Sequence, residues 1–395
     1  MWLAGGNVYD VDKGAFKTTD IRVADGRIAE FGTAPADAER IDLTGAFLLP
    51  GFIDCHVHLC IDTTNPDHTS HWHHALPGTI ALWTARAARR MLMAGVTTAR
   101  EAGGWDYHEI AVREAIDAGW IEGSRLICSG RVLTITSAST AAWHGMYDEA
   151  DGPDAVRHAA RRQLARGANF IKILASGANT SSKYERADAI QFRPDEITAA
   201  VEIATDNFTH VAAHAHAAEA IRNATECGCR SIEHGSLGTD EIYALMAERG
   251  TYLVPTLCTT PAMMNDPAFA KKVPPHIHER YRRGHAARLG RISRGRDLGV
   301  KIAMGSDAGM PGNHCGDNLQ ELEVLVGGAG FTPAAALAAG TKVAAELLGM
   351  SEDLGTLETG KIADVVALPR NPLDDISAVR EVFFVMKDGE VCRNE

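Results

Sequence analysis

The chain has 395 residues, of which 45% are hydrophobic and 23% are charged, values that are ordinary for a folded globular protein. Its formal net charge of -12 at pH 7 leaves no basic excess to neutralise phosphates. This balance argues against nucleic acid or an anionic membrane surface as a partner. The length suits an α/β barrel of about 250 residues with insertions, together with a smaller domain.

The eight cysteines show no C-x-x-C pairing, and several lie in apolar, strand-like runs. This usage is typical of buried free thiols in a reducing compartment. The N-terminal residues lack the basic segment and long apolar core of a signal peptide, and no run of ~18 apolar residues indicates a membrane span. We therefore expect a cytoplasmic protein with no membrane partner.

Both ends of the chain contain short strand-like runs separated by an Asp-Gly pair. Asp25-Gly26 lies between two such runs near the start, and Asp388-Gly389 lies between two near the end. An Asp-Gly pair between apolar runs predicts a β-hairpin. We predict that residues 1–50 and 351–395 form one small β-sandwich domain.

Strand-like and helical segments alternate through residues 51–350, which is typical of βα units around a parallel sheet. The eight strand candidates are residues 52–59, 96–101, 126–130, 170–175, 210–214, 230–234, 252–257 and 301–306. The helical candidates include residues 80–94, 194–208 and 333–348. The predicted fold is α/β, a (β/α)8 TIM-type barrel with the β-sandwich beside it, and its active site is expected at the carboxyl ends of the barrel strands.

The first barrel strand ends in a polar and apolar alternation. Because side chains alternate across a strand, Asp54, His56 and His58 point to one face. Neutral imidazole is a good ligand for divalent transition metals, so the two histidines are candidate metal ligands. Taken alone, two hydrogen-bonded histidines at a strand end would explain the pattern equally well.

Four later strand candidates also end in a group that can bind or serve a metal. Lys172 lies in an otherwise apolar strand, where burial favours the neutral amine. His214 and His216 end the fifth strand, His234 the sixth, and Asp307 follows the eighth. A snorkelling lysine or satisfied polar side chains could explain each one singly. Together they predict a metal centre.

This order of motifs resembles the amidohydrolase superfamily, specifically its imidazolonepropionase- and prolidase-like branch with a binuclear metal centre. The resemblance continues through the run GTLETGKIAD at residues 355–364. It implies two divalent metal ions, with Zn²⁺ expected, and a Lys172 carboxylated by carbon dioxide that bridges them. His56, His58 and Asp307 would bind one ion, and His214 and His234 the other.

The resemblance also implies a hydrolase that cleaves an amide C–N bond in a dipeptide, an Xaa-Pro substrate or an N-acyl amino acid. A hydroxide that bridges the metals would attack, and Asp307 would shuttle the proton. His216 is assigned to the substrate side, since His214 matches the ligand position at the strand end. The expected partner is a small-molecule amide or peptide, and a homo-oligomer is expected.

One stretch departs from the family pattern. Branch members have a Thr-Gly-Gly-His-like turn after the third strand, whereas here residues 133–152 form a longer loop with Trp143 and His144. We assign His144 as the imidazole that polarises the scissile carbonyl, with a solvated loop histidine as the alternative. The bulk of Trp143 would suit a neutral aryl amide, carbamate or urea instead.

The loop after Lys172 supplies two further candidates. Tyr184 and Arg186 are predicted to bind a substrate carboxylate, with a surface role as the alternative. A deaminase is disfavoured because position 217, three residues after His214, is Ala where deaminases of the superfamily carry Glu. A non-catalytic scaffold is disfavoured because every ligand position is filled.

Overall fold

The structure, a computed structural model, describes residues 1–65, 71–137, 139–140, 143–178, 185–272 and 275–395. Its strands are β1 (Trp2–Ala4), β2 (Asn7–Asp10), β3 (Ala15–Thr18), β4 (Asp20–Ala24), β5 (Arg27–Gly32), β6 (Arg40–Asp42), β7 (Phe47–Pro50), β8 (Phe52–Val57), β9 (Val96–Glu101), β10 (Arg125–Cys128), β11 (Val132–Thr134), β12 (Tyr147–Glu149), β13 (Ile171–Leu174), β14 (Val211–Ala215), β15 (Ser231–His234), β16 (Tyr252–Val254), β17 (Val365–Leu368), β18 (Phe384–Lys387) and β19 (Glu390–Asn394).

The α-helices follow or connect the parallel strands. They are α1 (Pro77–Met93), α2 (His108–Asp117), α3 (Pro153–Ala165), α4 (Pro194–Asp206), α5 (Ala218–Glu226), α6 (Asp240–Arg249), α7 (Thr259–Asn265), α8 (Pro267–Lys272), α9 (Pro275–Asp297), α10 (Gln320–Gly327), α11 (Pro333–Ala339) and α12 (Lys342–Leu348). Short 3-10 helices cover His71–His73 and Ile376–Arg380. Within the described part of the chain, no helix combines the length and the apolar character that crossing a bilayer requires.

Two sheets are built from the terminal segments. One has the strand order β5-β4-β1-β6 and the other β19-β18-β17-β7-β2-β3. The second sheet joins the two ends of the chain, because β17 pairs antiparallel with β7. Buried apolar side chains from both sheets form one cluster that includes Leu3, Ile21, Leu48, Val365 and Phe384. The chain ends therefore share an apolar core.

Both predicted hairpins are confirmed, since β4 pairs with β5 and β18 with β19, each pair antiparallel. Asp25 and Asp388 have φ of 51° and 52°, and the glycines that follow have φ of 75° and 78°. Asp tolerates this left-handed conformation and Gly adopts it freely. The two turns also touch, because a Cβ on Gly389 would lie 2.6 Å from Gly26 Cα. A side chain at either glycine would push the two ends of the chain apart.

The middle of the chain holds parallel strands in two sheets, ordered β10-β9-β8 and β12-β11-β13-β14-β15-β16. Seven of the eight predicted strands are found with small shifts of their ends. The chain passes from the first sheet to the second at residues 129–131, where Gly130 has φ of 70°. The long loop predicted at residues 133–152 includes most of β11 and all of β12, two short strands that pair parallel with each other. The sequence did not predict this pairing.

The prediction of a regular eighth strand at residues 301–306 is wrong. Single bridges join Ile302 to Leu253 and Ala308 to Val57. The ladder breaks between them because Ser306 N donates to a side chain, the Asp54 carboxylate, at 3.1 Å. The segment still hydrogen-bonds on both sides, to β16 through Leu253 N and Lys301 O at 2.9 Å and to β8 through Cys55 N and Met304 O at 2.9 Å.

The predicted helix at residues 333–348 is divided into α11 and α12. Its ends are as predicted, with the Thr332 hydroxyl accepting from Ala335 N at 3.2 Å and Gly349 left-handed at φ 72°. The division lies at Gly340, whose carbonyl accepts from Ile53 N at 2.8 Å. The next residue, Thr341, has φ of -135° and ψ of -92°, which are not helical, so α12 begins as a separate helix after it.

Candidate metal centre

The predicted metal ligands meet at the carboxyl ends of the parallel strands. Lys172 lies in β13, His214 in β14, and His234 ends β15. In register, Leu174 pairs with His214, and Ala215 pairs with His234. The alternation along each strand and the shared direction of the strands therefore bring distant sequence positions to one edge, as the sequence predicted.

Two groups of three side chains have the composition and spacing to hold a metal ion. They are His56, His58 and Asp307, and His214, His216 and His234. In each group the candidate ligand atoms lie within 4.8 Å of one another. The groups are neighbours, since the ring centroids of His56 and His234 are 5.1 Å apart. His216, assigned to the substrate by sequence, thus lies among the candidate ligands.

The first group is oriented by acceptors behind the rings. His56 Nδ1 donates to Glu233 Oε2 at 2.6 Å, and His58 Nδ1 donates to Gly103 O at 3.1 Å. Because these oxygens only accept, each ring carries its proton on Nδ1 and keeps the Nε2 lone pair free. The two Nε2 atoms lie 3.7 and 3.5 Å from Asp307 Oδ1. These three atoms suit a shared cation.

Asp54 fixes the strand end that presents this group. Its Oδ1 accepts from the backbone N of His56 at 3.0 Å and of Ser306 at 3.1 Å. Its Oδ2 accepts from Ser306 Oγ at 2.5 Å and Asn318 Nδ2 at 2.8 Å. Asp307 N adds a bond to His56 O at 2.7 Å. The Asp54 carboxylate therefore holds the segment that carries Asp307 against β8.

The second group is oriented by neutral oxygens. The bonds are His216 Nδ1 to Ser236 Oγ at 2.8 Å, His234 Nδ1 to Thr256 Oγ1 at 2.8 Å, and His214 Nε2 to Gly177 O at 3.3 Å. The Gly177 carbonyl only accepts, so His214 carries its proton on Nε2 and keeps Nδ1 free. Burial lowers the pKa of all three rings, so that they stay neutral and able to bind a cation.

Lys172 lies near both groups. Its side chain is almost fully buried, and its charge acts on the pKa of His56, His214 and Asp307. Burial lowers the pKa of the Lys172 amine to about 8, with the Glu233 carboxylate opposing the shift. About a tenth of the amine is therefore neutral at pH 7, far more than for an ordinary lysine, and the neutral amine is the form that reacts with carbon dioxide.

Asp307 has an unusual environment for a carboxylate. Burial raises its pKa to about 7, and the Lys172 ammonium opposes the rise. A carboxyl group that titrates near neutral pH can both accept and release a proton there. Its backbone φ of 56° lies in the left-handed region, a conformation that surrounding contacts must maintain.

Three buried charged residues near the histidines were missed by the sequence analysis. Arg100 donates to the Glu233 carboxylate at 2.7 Å, and both side chains are fully buried. Arg288 in α9 donates to Thr256 Oγ1 at 3.1 Å and to the Pro255 carbonyl oxygen. One feature of the sequence could have found two of them. Arg100 and Glu233, like Lys172, are charged residues within buried strands, where an unpaired charge is costly.

Of the predicted substrate residues, His144 and Arg186 contact side chains outside the two histidine groups. His144 is exposed, and its ring stacks on His73 at 5.0 Å and meets the edge of Trp105 at 5.1 Å. Arg186 is 77% exposed and donates to both oxygens of Asp188 at 2.8 and 2.6 Å. Tyr184 lies outside the described residues. The roles of all three stay predictions.

An aromatic cluster lies beside the strand ends. Its buried members are Cys60, Ile61, Trp72, Ile80, Trp83, Trp105, Val132, Met146, Tyr147 and Leu174, with Trp143 and Met310 packed against them. Leu174 follows Lys172 by two positions and Met310 follows Asp307 by three, so the cluster adjoins the candidate centre. Trp72 and Trp143 stack with centroids 5.1 Å apart.

Comparison with known proteins agrees with this geometry. The profile of the amidohydrolase family matches residues 47–392. Ochratoxinase from Aspergillus niger is 31% identical over 374 residues, covering 88% of this chain and 75% of the relative. Imidazolonepropionase from Symbiobacterium thermophilum is 26% identical over 391 residues, covering 87% of this chain and 82% of the relative.

A solved structure extends the comparison to the whole chain. The crystal structure of a prolidase complexed with N-methylphosphonate-L-proline has 30% sequence identity and a TM-score of 0.88, and the match covers 100% of this chain and 99% of that one. The family match, the relatives and the structural likeness agree with the motif order at the strand ends. This chain therefore belongs to the amidohydrolase family, in its imidazolonepropionase- and prolidase-like branch, and is a hydrolase of amide C–N bonds.

Proposed function

We propose that the chain is a metal-dependent hydrolase of a compact amide that carries a carboxylate, of the dipeptide, Xaa-Pro or N-acyl amino acid type. The observation that carries the proposal is the pair of adjacent three-residue groups with buried Lys172 near both. The likeness to a prolidase structure supports an amide of this class.

The donor set fits two divalent cations. His56, His58 and Asp307 would hold one, and His214 and His234 the other, with a carboxylated Lys172 between them. Imidazole and carboxylate ligands suit Zn²⁺, the expected metal. When bound, the two ions would lower the pKa of a water molecule and polarise the scissile carbonyl.

The protein's own residues supply the proton transfers. Asp307 would accept a proton from the attacking water and return it to the departing amine, acting as general base and then as general acid. Asp307 Oδ1 lies 3.7 and 3.5 Å from the Nε2 atoms of His56 and His58, so a cation shared by the three side chains would hold the carboxylate at the reaction centre. His216 is partly exposed and held at Nδ1 by Ser236, which leaves Nε2 for a substrate oxygen.

Substrate recognition is assigned to loops around the strand ends. His144 would polarise the scissile carbonyl, and Tyr184 and Arg186 would bind the substrate carboxylate. The Arg186–Asp188 ion pair would have to open for that contact. Exposed ion pairs of this kind contribute about 0–1 kcal/mol, so a substrate carboxylate could replace Asp188 at little cost.

The proposal extends to the architecture. Residues 51–350 would form a barrel in which the irregular segment 301–308 takes the place of the eighth strand, since this segment hydrogen-bonds to β16 on one side and to β8 on the other. Residues 1–50 and 351–395 would form a β-sandwich, since one apolar cluster draws on both terminal sheets. The free thiols of all eight cysteines support a cytoplasmic location, and a homo-oligomer stays a prediction.

A second candidate substrate is a neutral aryl amide, carbamate or urea. The aromatic cluster favours it, because Trp143 is partly exposed beside the candidate centre. An aromatic substrate group could stack on such a ring, a contact worth about 0.5–1.5 kcal/mol beyond the buried area.

A matched pair of substrates separates the two candidates. The zinc-loaded enzyme is assayed with a panel of N-acyl amino acids and Xaa-Pro dipeptides, each beside its C-terminal carboxamide. If a carboxylate is bound, the carboxamide leaves a donor unpaired, costing about 1–3 kcal/mol, or about 5- to 150-fold in kcat/KM. Equal kcat/KM for acid and amide, or a preference for neutral aryl substrates, would favour the second candidate.

A further inference from the structure

A chain of buried charged groups runs behind the first histidine group. His56 Nδ1 donates to Glu233 Oε2 at 2.6 Å, and Arg100 Nη2 donates to Glu233 Oε1 at 2.7 Å. Ser231 Oγ also donates to Glu233 Oε1, at 2.6 Å. The side chains of His56, Glu233 and Arg100 are 1%, 0% and 0% exposed. Solvent therefore neither screens nor replaces these bonds.

Arg100 is anchored at several points of the interior. From β9 it donates through Nε to Cys55 O in β8 at 2.6 Å and through Nη1 to Ser231 Oγ in β15 at 3.1 Å. Its guanidinium also lies over the ring of Phe170, 5.2 Å from the centroid. The planar group thus ties three strands together and leaves the Glu233 carboxylate a single orientation.

We propose that Glu233, held in place by Arg100, is a positioning residue that keeps His56 protonated on Nδ1 and directs its Nε2 lone pair toward the metal. This inference rests on the metal centre proposed above. Two freedoms would otherwise remain to His56: the ring could turn about its Cβ–Cγ bond, and it could carry its proton on Nε2. A carboxylate that only accepts removes both.

The other candidate histidines show why this pair is distinctive. His58, His214, His216 and His234 form hydrogen bonds to carbonyl or hydroxyl oxygens, and the carboxylate nearest His58 Nδ1, that of Glu101, lies 4.0 Å away, beyond hydrogen-bond distance. A charged acceptor draws the Nδ1 proton more strongly and makes the opposite nitrogen a better donor to a cation. His56 should therefore bind a cation more strongly than the other imidazoles of the centre.

The tests use the full chain and measure metal retention against a chelator. In E233Q the neutral amide can turn its NH₂ toward the ring, which allows the other tautomer, so the first-group metal should be held about 10- to 100-fold more weakly. Glu321→Gln is the matched control, because Glu321 is equally buried but accepts from Leu257 N and Cys258 N. The control should retain metal as the wild type does.

A double variant separates orientation from the cost of an unpaired charge. E233Q leaves Arg100 buried without its carboxylate, which alone could disturb the site. R100M/E233Q removes that cation, so the thermal midpoint should recover relative to E233Q while metal retention stays weak. Recovery of metal retention in the double variant would overturn the positioning role.

Nuclear magnetic resonance gives an answer that requires no substitution at Glu233. In metal-free protein with ¹⁵N-labelled histidine, the His56 ring should carry its proton on Nδ1, and a proton on Nε2 would overturn the proposal even if the variants failed to fold. A wild-type protein that bound no divalent metal would contradict the proposed function. A wild type with two ions and an E233Q variant that released them equally slowly would contradict this inference alone.

Discussion

The two histidine groups differ in what lies behind them. His56 and His58 form their group with a carboxylate, Asp307, and His56 bonds to a second carboxylate, Glu233. The second group is three imidazoles oriented by hydroxyl and carbonyl oxygens, and its member His216 is partly exposed. One group thus contains its own negative charge, whereas the other has none.

Because of this difference, we expect the two groups to bind a cation with different affinities. A cation held by the first group is neutralised in part by Asp307 and excluded from solvent, so it should be retained tightly. A cation held by the second group gains an anionic ligand only if Lys172 is carboxylated. The second position should therefore lose its metal more readily and lie closer to the substrate.

The largest expected effect comes from the one carboxylate ligand. Asp307→Asn keeps the shape but cannot accept a proton, so kcat should fall by at least the ~10² to 10⁴ that general acid–base catalysis contributes. Steady-state kinetics on the metal-loaded variant measure this, with circular dichroism to check the fold. Turnover within a few-fold of the wild type would remove Asp307 from the proton transfers.

Removing Lys172 should separate the two groups. Lys172→Met preserves the length and the burial but cannot be carboxylated, so the second group should lose its metal while the first retains it. Metal analysis after dialysis should fall from about two ions per chain to about one, a loss of roughly 100-fold or more in affinity at the second position. Retention of both ions would show that the second group needs no anionic ligand.

Two single variants distinguish the roles of His214, which lies in β14, and His216, which follows it. His214→Ala should lose the second-group metal. His216→Ala should keep it and lower kcat/KM about 10-fold, the cost of one hydrogen bond to substrate. Loss of metal in His216→Ala with retention in His214→Ala would reverse the assignment and make His216 and His234 the ligands of the second group.

The sequence could predict those residues of the site that follow from the alternation of side chains along a single strand. His56 and His58 share a face because they are two residues apart, and Lys172 stood out because a charge in an apolar strand needs a reason. The Arg100–Glu233 pair also lies in buried strands. That these two residues form an ion pair depends on which strands face each other across the interior, and no local sequence pattern encodes that arrangement.

The fold was predicted best where local chemistry decides the structure. The Asp-Gly pairs at Asp25 and Asp388 specify left-handed turns whatever surrounds them. The regular strand expected at residues 301–306 failed because Asp54, from a strand about 250 residues earlier, draws Ser306 out of the ladder. Helix 333–348 was divided at Gly340 for a similar reason, a bond to Ile53.

The smallest expected effect is on stability without metal. Burial lowers the pKa of the His56 ring from 6.5 to about 4. Between these two pH values the ring binds a proton in the unfolded chain but not in the folded protein, so the free energy of unfolding falls as the pH falls from 6.5 toward 4. Between pH 6.5 and 5.5 each such histidine should cost about 1 kcal/mol. Asp307, with its pKa raised to about 7, acts in the opposite sense over this range.

Burial lowers the pKa of the other buried histidines too (His58, His210, His214, His216 and His234), but it raises the pKa of four more buried carboxyl groups (Asp54, Glu101, Glu109 and Glu321). The two sets of groups largely offset each other, so the free energy of unfolding of the metal-free protein should fall only slightly between pH 6.5 and pH 5.5. Urea unfolding in the presence of a chelator measures the difference. A free energy of unfolding that rises on acidification would mean that the carboxyl groups, not the imidazoles, dominate the titration of the centre.

The central claim is that two cations share a carboxylated Lys172, and one measurement addresses it directly. Protein prepared without chelator is analysed for metal content, and the same sample is examined by native mass spectrometry with fragmentation around Lys172. We predict about two divalent ions per chain and one added carbon dioxide on Lys172. A single tightly held ion together with an unmodified Lys172 would contradict the account.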